Sequence, residues 1–319
     1  MATAEQIKAL TRSHFTEDTE RFFTIALQVA AHEAKSGHTA LAHDIRDIID
    51  KERQKKAPRI ISFPKDLQGL VLKTIPEDKK SAMVLPEKLF TRLKRIILEY
   101  RQRNKLKSHG LNHRRKILLI GSPGTGKTMT ARVLAHELKL PLYTIQVDRV
   151  VTKFMGETSA KLRQIFDLII EEHGVYLFDE FDAIGGERSL DNDVGEMRRV
   201  LNSFLQFIEQ DSSDSLIIGA SNNPKLLDHA LYRRFDDILY YKKPQTDERK
   251  QLMENVLATY YTNDLNWQSL LECSEGLSHA DINQACKDSI KHLILNNNEK
   301  MNSELLLAML NERKSIKQQ

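Results

Sequence analysis

"KILLIGSPGTGKT", residues 116–128, decides how the rest of the chain is read. Ile117, Leu118, Leu119 and Ile120 follow one another with no polar residue between them. An unbroken apolar run of this kind reads as a strand buried on both faces. It passes directly into Gly121-Ser122-Pro123-Gly124-Thr125-Gly126-Lys127-Thr128, and a helical pattern follows. Strand, glycine-rich loop and helix in that order predict a phosphate-binding loop. The glycines let consecutive backbone N–H groups converge on phosphate oxygens. The helix opening at Lys127 aims its positive dipole end at the same oxygens. Residues 121–128, with Met129 beside them, are the candidate nucleotide contacts. Lys127 is expected at the β- and γ-phosphates of ATP, and Thr128 at Mg²⁺.

Outward from this stretch, short apolar runs alternate with helical ones. "LYTIQV", "VYLFD", "LIIGAS" and "ILYYK" join "KILLI" as expected strands. The alternation predicts an α/β fold, a parallel sheet with helices on both faces. Ligands of such sheets bind beyond the carboxyl ends of the strands. "VYLFDEFD", 175–182, ends its apolar run in Asp179 and Glu180. A carboxylate at a strand tip can hold Mg²⁺, directly or through water, and a second can polarise the attacking water. Asp179 is assigned the first role and Glu180 the second. "LIIGASNN" places Asn222 at a third tip. Its amide suits the γ-phosphate or the water, although Asn222 and Asn223 also suit a plain turn before Pro224.

Further on come "PKLLDHALYRRFDD", 224–237, and "GLSHADI", 276–282. Phosphate loop, "FDEFD", "ASNNP", "LLDHALYRRFD" and "GLSHADI" in this order resemble the AAA+ ATPases, and within them the AAA group that remodels proteins. The resemblance covers roughly residues 85–312. It implies a P-loop NTPase domain followed by an α-helical lid, in a ring, usually a hexamer, with ATP bound between subunits. It places Asn222 at the family's first sensor. Arg233 and Arg234 fall at its arginine fingers, which reach the neighbouring subunit's nucleotide. Many relatives have Pro-Gly between the two arginines, and this chain does not. "GLSHADI" carries no arginine at the second sensor, as in the protein-remodelling branch. Lys153, Phe154, Met155 and Gly156 stand where the family has its pore loop, an exposed aromatic-aliphatic pair that can grip extended polypeptide without sequence preference. The small size of the chain also resembles bacterial AAA ATPases encoded beside subtilisin-like proteases, so a partner protease is one expectation.

A rival reading comes from "RQRNKLKSHGLNHRRK", 101–116, which holds seven Lys and Arg residues and no acid. Such a stripe attracts phosphates, and would make the chain a nucleic-acid-stimulated ATPase. No aromatic residue is interleaved for base stacking, so a solvated helix end is the simpler expectation. A nucleotide-gated assembly scaffold is the other alternative. The net charge of the 319 residues is only +4, which demands no polyanionic partner. Two cysteines, Cys273 and Cys286, are too few for a disulfide framework and fit a reducing compartment. The first residues lack the apolar core of a secretory signal, and no apolar run has the length of a membrane span. A cytoplasmic protein without a membrane partner is expected. His32, His38 and His43 show no metal-ligand spacing. The expected organisation is a helical partner or substrate module over 1–56, a linker with short extended pieces over 57–86, the nucleotide-binding domain over 87–245 and the helical lid over 246–319. One long helix is expected from about Glu87 to Lys107.

Overall fold

The structure, a computed structural model, describes residues 26, 29–30, 33–34, 37–56, 67, 69–153, 157–182, 193–224, 227, 229–257, 265–296 and 301–316. The chain forms two compact units, Met1–Ile61 and Ser62–Gln319. In the first, helix α1 spans Thr39–Lys56. Ala42 and Ile49, seven residues apart on one helical face, are buried, as are Ala26, Val29 and Ala30. Gly37 takes a left-handed turn ahead of α1, at φ +90°. Ile7, Leu10, Phe22 and Phe23, within the helical module expected over 1–56, lie outside the described residues.

The second unit begins with strand β1 (Val71–Thr74), then helices α2 (Glu87–Arg101) and α3 (Arg103–Ser108). The α/β alternation follows as β2 (Lys116–Gly121), α4 (Lys127–Leu138), β3 (Leu142–Gln146), α5 (Val147–Lys153), α6 (Thr158–Glu171), β4 (Val175–Asp179), α7 (Asp193–Gln210), β5 (Leu216–Ser221), α8 (His229–Tyr232) and β6 (Asp237–Tyr241). Helices α9 (Thr246–Leu257), α10 (Trp267–Cys273), α11 (His279–Leu295) and α12 (Ser303–Ile316) complete it.

Six strands form one sheet in the order β1-β3-β4-β5-β2-β6, and β2 to β6 are all parallel. The apolar runs are unbroken because each strand feeds two cores. Ile117 and Leu119 of β2, Val175 and Leu177 of β4, and Leu216 and Ile218 of β5 face α2 and α4. Leu118, Ile120, Tyr176, Phe178 and Ile217 face α6 and α7 on the other side. Successive strand residues point to opposite faces, so a run without polar residues marks burial from both sides. A third core joins Leu252, Met253 and Leu257 of α9 to Leu270, Ile282, Cys286, Leu306 and Leu310, and takes in Val84 from ahead of α2.

Two local expectations change. The stretch read as linker with short extended pieces places one of them, β1, in the sheet, paired antiparallel with β3 from Val71↔Ile145 to Thr74↔Leu142. The parallel sheet therefore carries one antiparallel edge. The single helix expected to Lys107 is two helices, broken at Gln102, whose φ of −103° and ψ of 18° are not helical. Two contacts flank the break. The Tyr100 hydroxyl bonds His173, and the Arg103 guanidinium folds back over the Tyr100 ring at 4.8 Å.

Candidate nucleotide site

The tips of β4, β5 and β2 are adjacent because those strands are neighbours in the sheet and run the same way. From β2 the chain leaves toward β3 on one side, while β6 closes the other side, which opens a crevice at the tip of β2. The phosphate loop fills that point. Gly121 has no room for a side chain, since a Cβ would strike the carbonyl of Tyr241 on β6. Gly124 adopts φ +74° and lies against Ser278 and Ala280. The Ala280 N–H donates to the Gly124 carbonyl at 3.0 Å. Ser278 caps α11 in a reciprocal pair with Asp281. The loop is thus held between β6 and the start of α11. Inside it the Thr125 hydroxyl donates to the Ser122 carbonyl at 2.7 Å.

Lys127 is buried at 7% exposure. Its ammonium donates to the Gly121 carbonyl at 2.7 Å, the Ser122 carbonyl at 3.1 Å and Asn222 Oδ1 at 2.8 Å. All three acceptors are neutral. Burial pushes its pKa down, and the nearby Asp179 and Asp182 carboxylates act the other way. A buried cation held by neutral oxygens in a crevice fits an anionic ligand, because a phosphate oxygen is the stronger acceptor. The Thr128 hydroxyl donates to Asp179 Oδ2 at 3.3 Å. Two hard oxygens side by side at the same tip fit Mg²⁺. Asn222 is more than a turn residue here, since its side chain joins Lys127 while its N–H donates to Asp182 Oδ1 at 3.1 Å.

Glu180 lies in the left-handed region at φ +53°, with its N–H donating to Asp179 Oδ1 at 3.0 Å. Its pKa is raised, first by desolvation and then by the Asp148, Asp179 and Asp182 carboxylates. The next residue explains the backbone. The Phe181 N–H donates to the Ala220 carbonyl at 2.9 Å, and its side chain is fully buried. The structure therefore brings together Gly121, Ser122, Gly124, Lys127, Thr128, Asp179, Glu180 and Asn222. Met129, on α4, is partly buried against the core. Arg233 and Arg234 stand apart, just after α8. Arg233 is exposed, and Arg234 reaches Glu209 at 3.4 Å. Lys153 ends α5, and Phe154, Met155 and Gly156 lie outside the described residues.

Sequence reasoning left out Asp182, Asp148, Ser278 and Ala280 as site residues. Asp182 stands in "FDEFD", and its regular spacing from Asp179 was the available signal. Nothing local marks Ser278 and Ala280 as walls of a loop so far away in sequence. His279 opens α11, half-buried, with its pKa lowered chiefly by burial. The basic run 101–116 is largely spoken for. Arg101 pairs with Glu137, Lys107 with Asp214, Arg114 with Glu99 and Arg115 with Asp211. These pairs remove much of the phosphate-attracting field that the run alone suggested. Among the described residues no group of His, Cys, Asp and Glu is arranged to hold a metal ion by itself, and no helix is long and apolar enough to cross a membrane.

Residues 117–243 match the ATPase family associated with various cellular activities (AAA). The chain is 32% identical over 305 residues to the AAA family ATPase y4kL of Sinorhizobium fredii, covering 92% of this chain and 90% of that one. It belongs to the AAA family of ATPases. A second AAA relative, from Methanothermobacter marburgensis, is named for homology to a 26S proteasome regulatory subunit and is 32% identical over 206 residues. That match covers 62% of this chain and 55% of the relative, so the chain spans little more than half of that protein's length. The AAA domain of FIGL-1, solved as a crystal structure, superposes with a TM-score of 0.62 at 23% identity, covering 79% of this chain and 90% of that one. That likeness extends the AAA assignment to the fold. As a member of the family this chain is an ATPase, and its relatives support the protein-remodelling branch indicated by the motifs.

Proposed function

We propose that this AAA ATPase works as a homo-oligomeric ring, a hexamer, in which ATP turnover drives the remodelling or unfolding of protein substrates. The observation that carries the reading is the Lys127 ammonium, buried on neutral oxygens between the phosphate loop and Asn222, with Thr128 and Asp179 beside it. Lys127 and the loop N–H groups bind the phosphates. Thr128 and Asp179 hold Mg²⁺, which when bound neutralises charge on the transferred phosphoryl group. Glu180 orients and deprotonates the attacking water, and its raised pKa brings it nearer the working range of a base. Asn222 positions that water or the γ-phosphate. Arg233 and Arg234, remote from their own chain's loop, serve the next subunit's nucleotide, which makes turnover depend on assembly. Lys153, Phe154, Met155 and Gly156 form the loop that grips polypeptide.

In this reading residues 246–319 act as the lid, 87–245 bind nucleotide, 57–86 connect, and 1–56 recruit a partner or substrate in the cytoplasm. A protease partner is supported by the relative named for a proteasome regulatory subunit. The testing experiment is the solution mass of Glu180→Gln with saturating ATP and Mg²⁺. A ring several subunits large is expected. A monomer under these conditions would sink the ring and the trans role of the arginines together. In an assembled ring, Phe154→Ala should keep ATP turnover and lose substrate unfolding; unimpaired unfolding would favour a scaffold.

A further inference from the structure

Glu180 and the Arg233–Arg234 pair lie toward opposite ends of the same strands. Glu180 follows the carboxyl end of β4. The arginines precede the amino end of β6, where Asp237 pairs with Ile117 at the start of β2. Two phenylalanines close the gap. The Phe181 ring is fully buried and meets Phe204 edge-on at 4.8 Å and Phe235 edge-on at 6.2 Å, with an interplanar angle of 89° to the latter. Phe235 is the residue directly after Arg234 and is itself buried. Gly219 of β5 makes the space for both rings. A Cβ there would come within 3.3 Å of Phe235 and 3.7 Å of Phe181.

Both ends of this contact are tied to a site residue by the backbone. Glu180 holds a left-handed conformation that is fixed on one side by the Phe181 N–H on Ala220. Turning Glu180 out of that conformation must turn the peptide that carries Phe181. On the far side, the Asp236 N–H donates to the Lys116 carbonyl at 2.7 Å. The Asp236 carboxylate accepts from the Arg115 and Lys116 N–H groups, both at 2.9 Å. Among the described residues the arginine segment is held by Asp236 on β2, by the Arg234–Glu209 pair and by Phe235 on Phe181, and the last of these meets the residue directly after Glu180.

We infer that the Phe181–Phe235 contact is a positioning device that links the setting of Glu180 in a subunit's own site to the setting of Arg233 and Arg234 in its neighbour's site. It rests on the proposed ring with arginines acting in trans. Packed aromatic pairs shift as units rather than deform smoothly, so a change at Glu180 is passed on rather than absorbed. Residues that carry coupling of this kind alter it by about 2- to 30-fold when changed.

The test mixes subunits of the full chain with ATP and Mg²⁺, and follows turnover per hydrolysis-competent subunit as Glu180→Gln subunits are added. In the wild-type background, turnover per competent subunit should fall as the stalled fraction rises, because stalled neighbours misplace their arginines. With Phe235→Leu in every subunit the curve should become flat, while ATP affinity and ring mass stay within about twofold of wild type and kcat drops by about 2- to 30-fold at unchanged KM. A simple packing role would lower stability and leave the shape of the mixing curve alone. If Phe235→Leu fails to assemble, Phe181→Leu replaces it, since it removes the other ring of the pair. The inference is overturned by a flat curve in the wild-type background, or by a falling curve that survives both variants. Arg233→Ala with Arg234→Ala separates the two levels. Undiminished turnover in that ring would sink the trans-arginine reading itself, whatever the phenylalanines do.

Discussion

At the amino ends of the sheet, ionic groups meet ionic groups. Arg115 is matched by the buried Asp211, Lys107 by Asp214 and Arg92 by Asp237, and Asp236 accepts two backbone N–H groups. At the carboxyl ends of the same strands the matching stops short. Lys127 has only neutral acceptors, Asp179 accepts from a hydroxyl and an N–H, and Glu180 sits in a strained backbone among like charges. One end is closed on itself, which suits stability. The other keeps its charge chemistry open for a ligand that brings its own negative charge and cation.

The contrast breaks most sharply at Glu180. Glu180→Gln is expected to keep ATP binding and lower kcat by about 10²–10⁴-fold, the usual worth of a general base. A quench-flow measurement with ATP titration separates the two. The sign of its pH dependence follows from the raised pKa. The base must be ionised, so the acid limb of the wild-type rate should lie above the ordinary carboxylate range. A limb at the usual Glu value would show that the neighbouring carboxylates do not raise Glu180 in the working site. Lys127→Ala comes next, with about 10²–10³-fold weaker turnover and an intact fold by circular dichroism.

At the closed end the effects should appear as stability. Arg115→Ala strands Asp211, whose side chain is 1% exposed, and should cost about 3–5 kcal/mol in denaturant unfolding. Turnover per folded molecule should stay near wild type. A variant that unfolds easily and also loses kcat would blur the division between the two ends. The smallest effect belongs to His113, buried at 3% against the Tyr100 ring, with ring centroids 5.4 Å apart. Burial holds its pKa below the ordinary value, aided by Arg115, Lys107 and Arg103 and opposed by Asp214. The unfolded chain then takes up the proton first as pH falls. Stability should decline as pH drops through the ordinary histidine range, by at most about 1.4 kcal/mol per pH unit. His113→Phe should flatten that slope in thermal melts.

The same division decided what could be read from sequence. Strand-loop-helix at 116–138 was legible because local physics fixes it, with two-sided apolar runs and glycines where a loop needs them. Asp179, Glu180 and Asn222 were legible as polar residues at the ends of such runs. β1 was not. "VLKT" is short, sits among prolines and gains its strand character only from pairing with β3. The carboxylate partners of the basic run were equally hidden, since Glu137, Asp211 and Asp214 come from distant elements. The break at Gln102 sits beside a contact of Tyr100 with His173 from across the fold, which periodicity within the helix could not show.

The Ala280 N–H on the Gly124 carbonyl has a consequence for synthesis. A ribosome releases the whole phosphate-loop motif long before Ser278 and Ala280 emerge. A nascent or truncated chain ending ahead of α11 would display the motif with one wall missing. Nucleotide would thus meet both walls of the loop only once α11 has been made and folded against it.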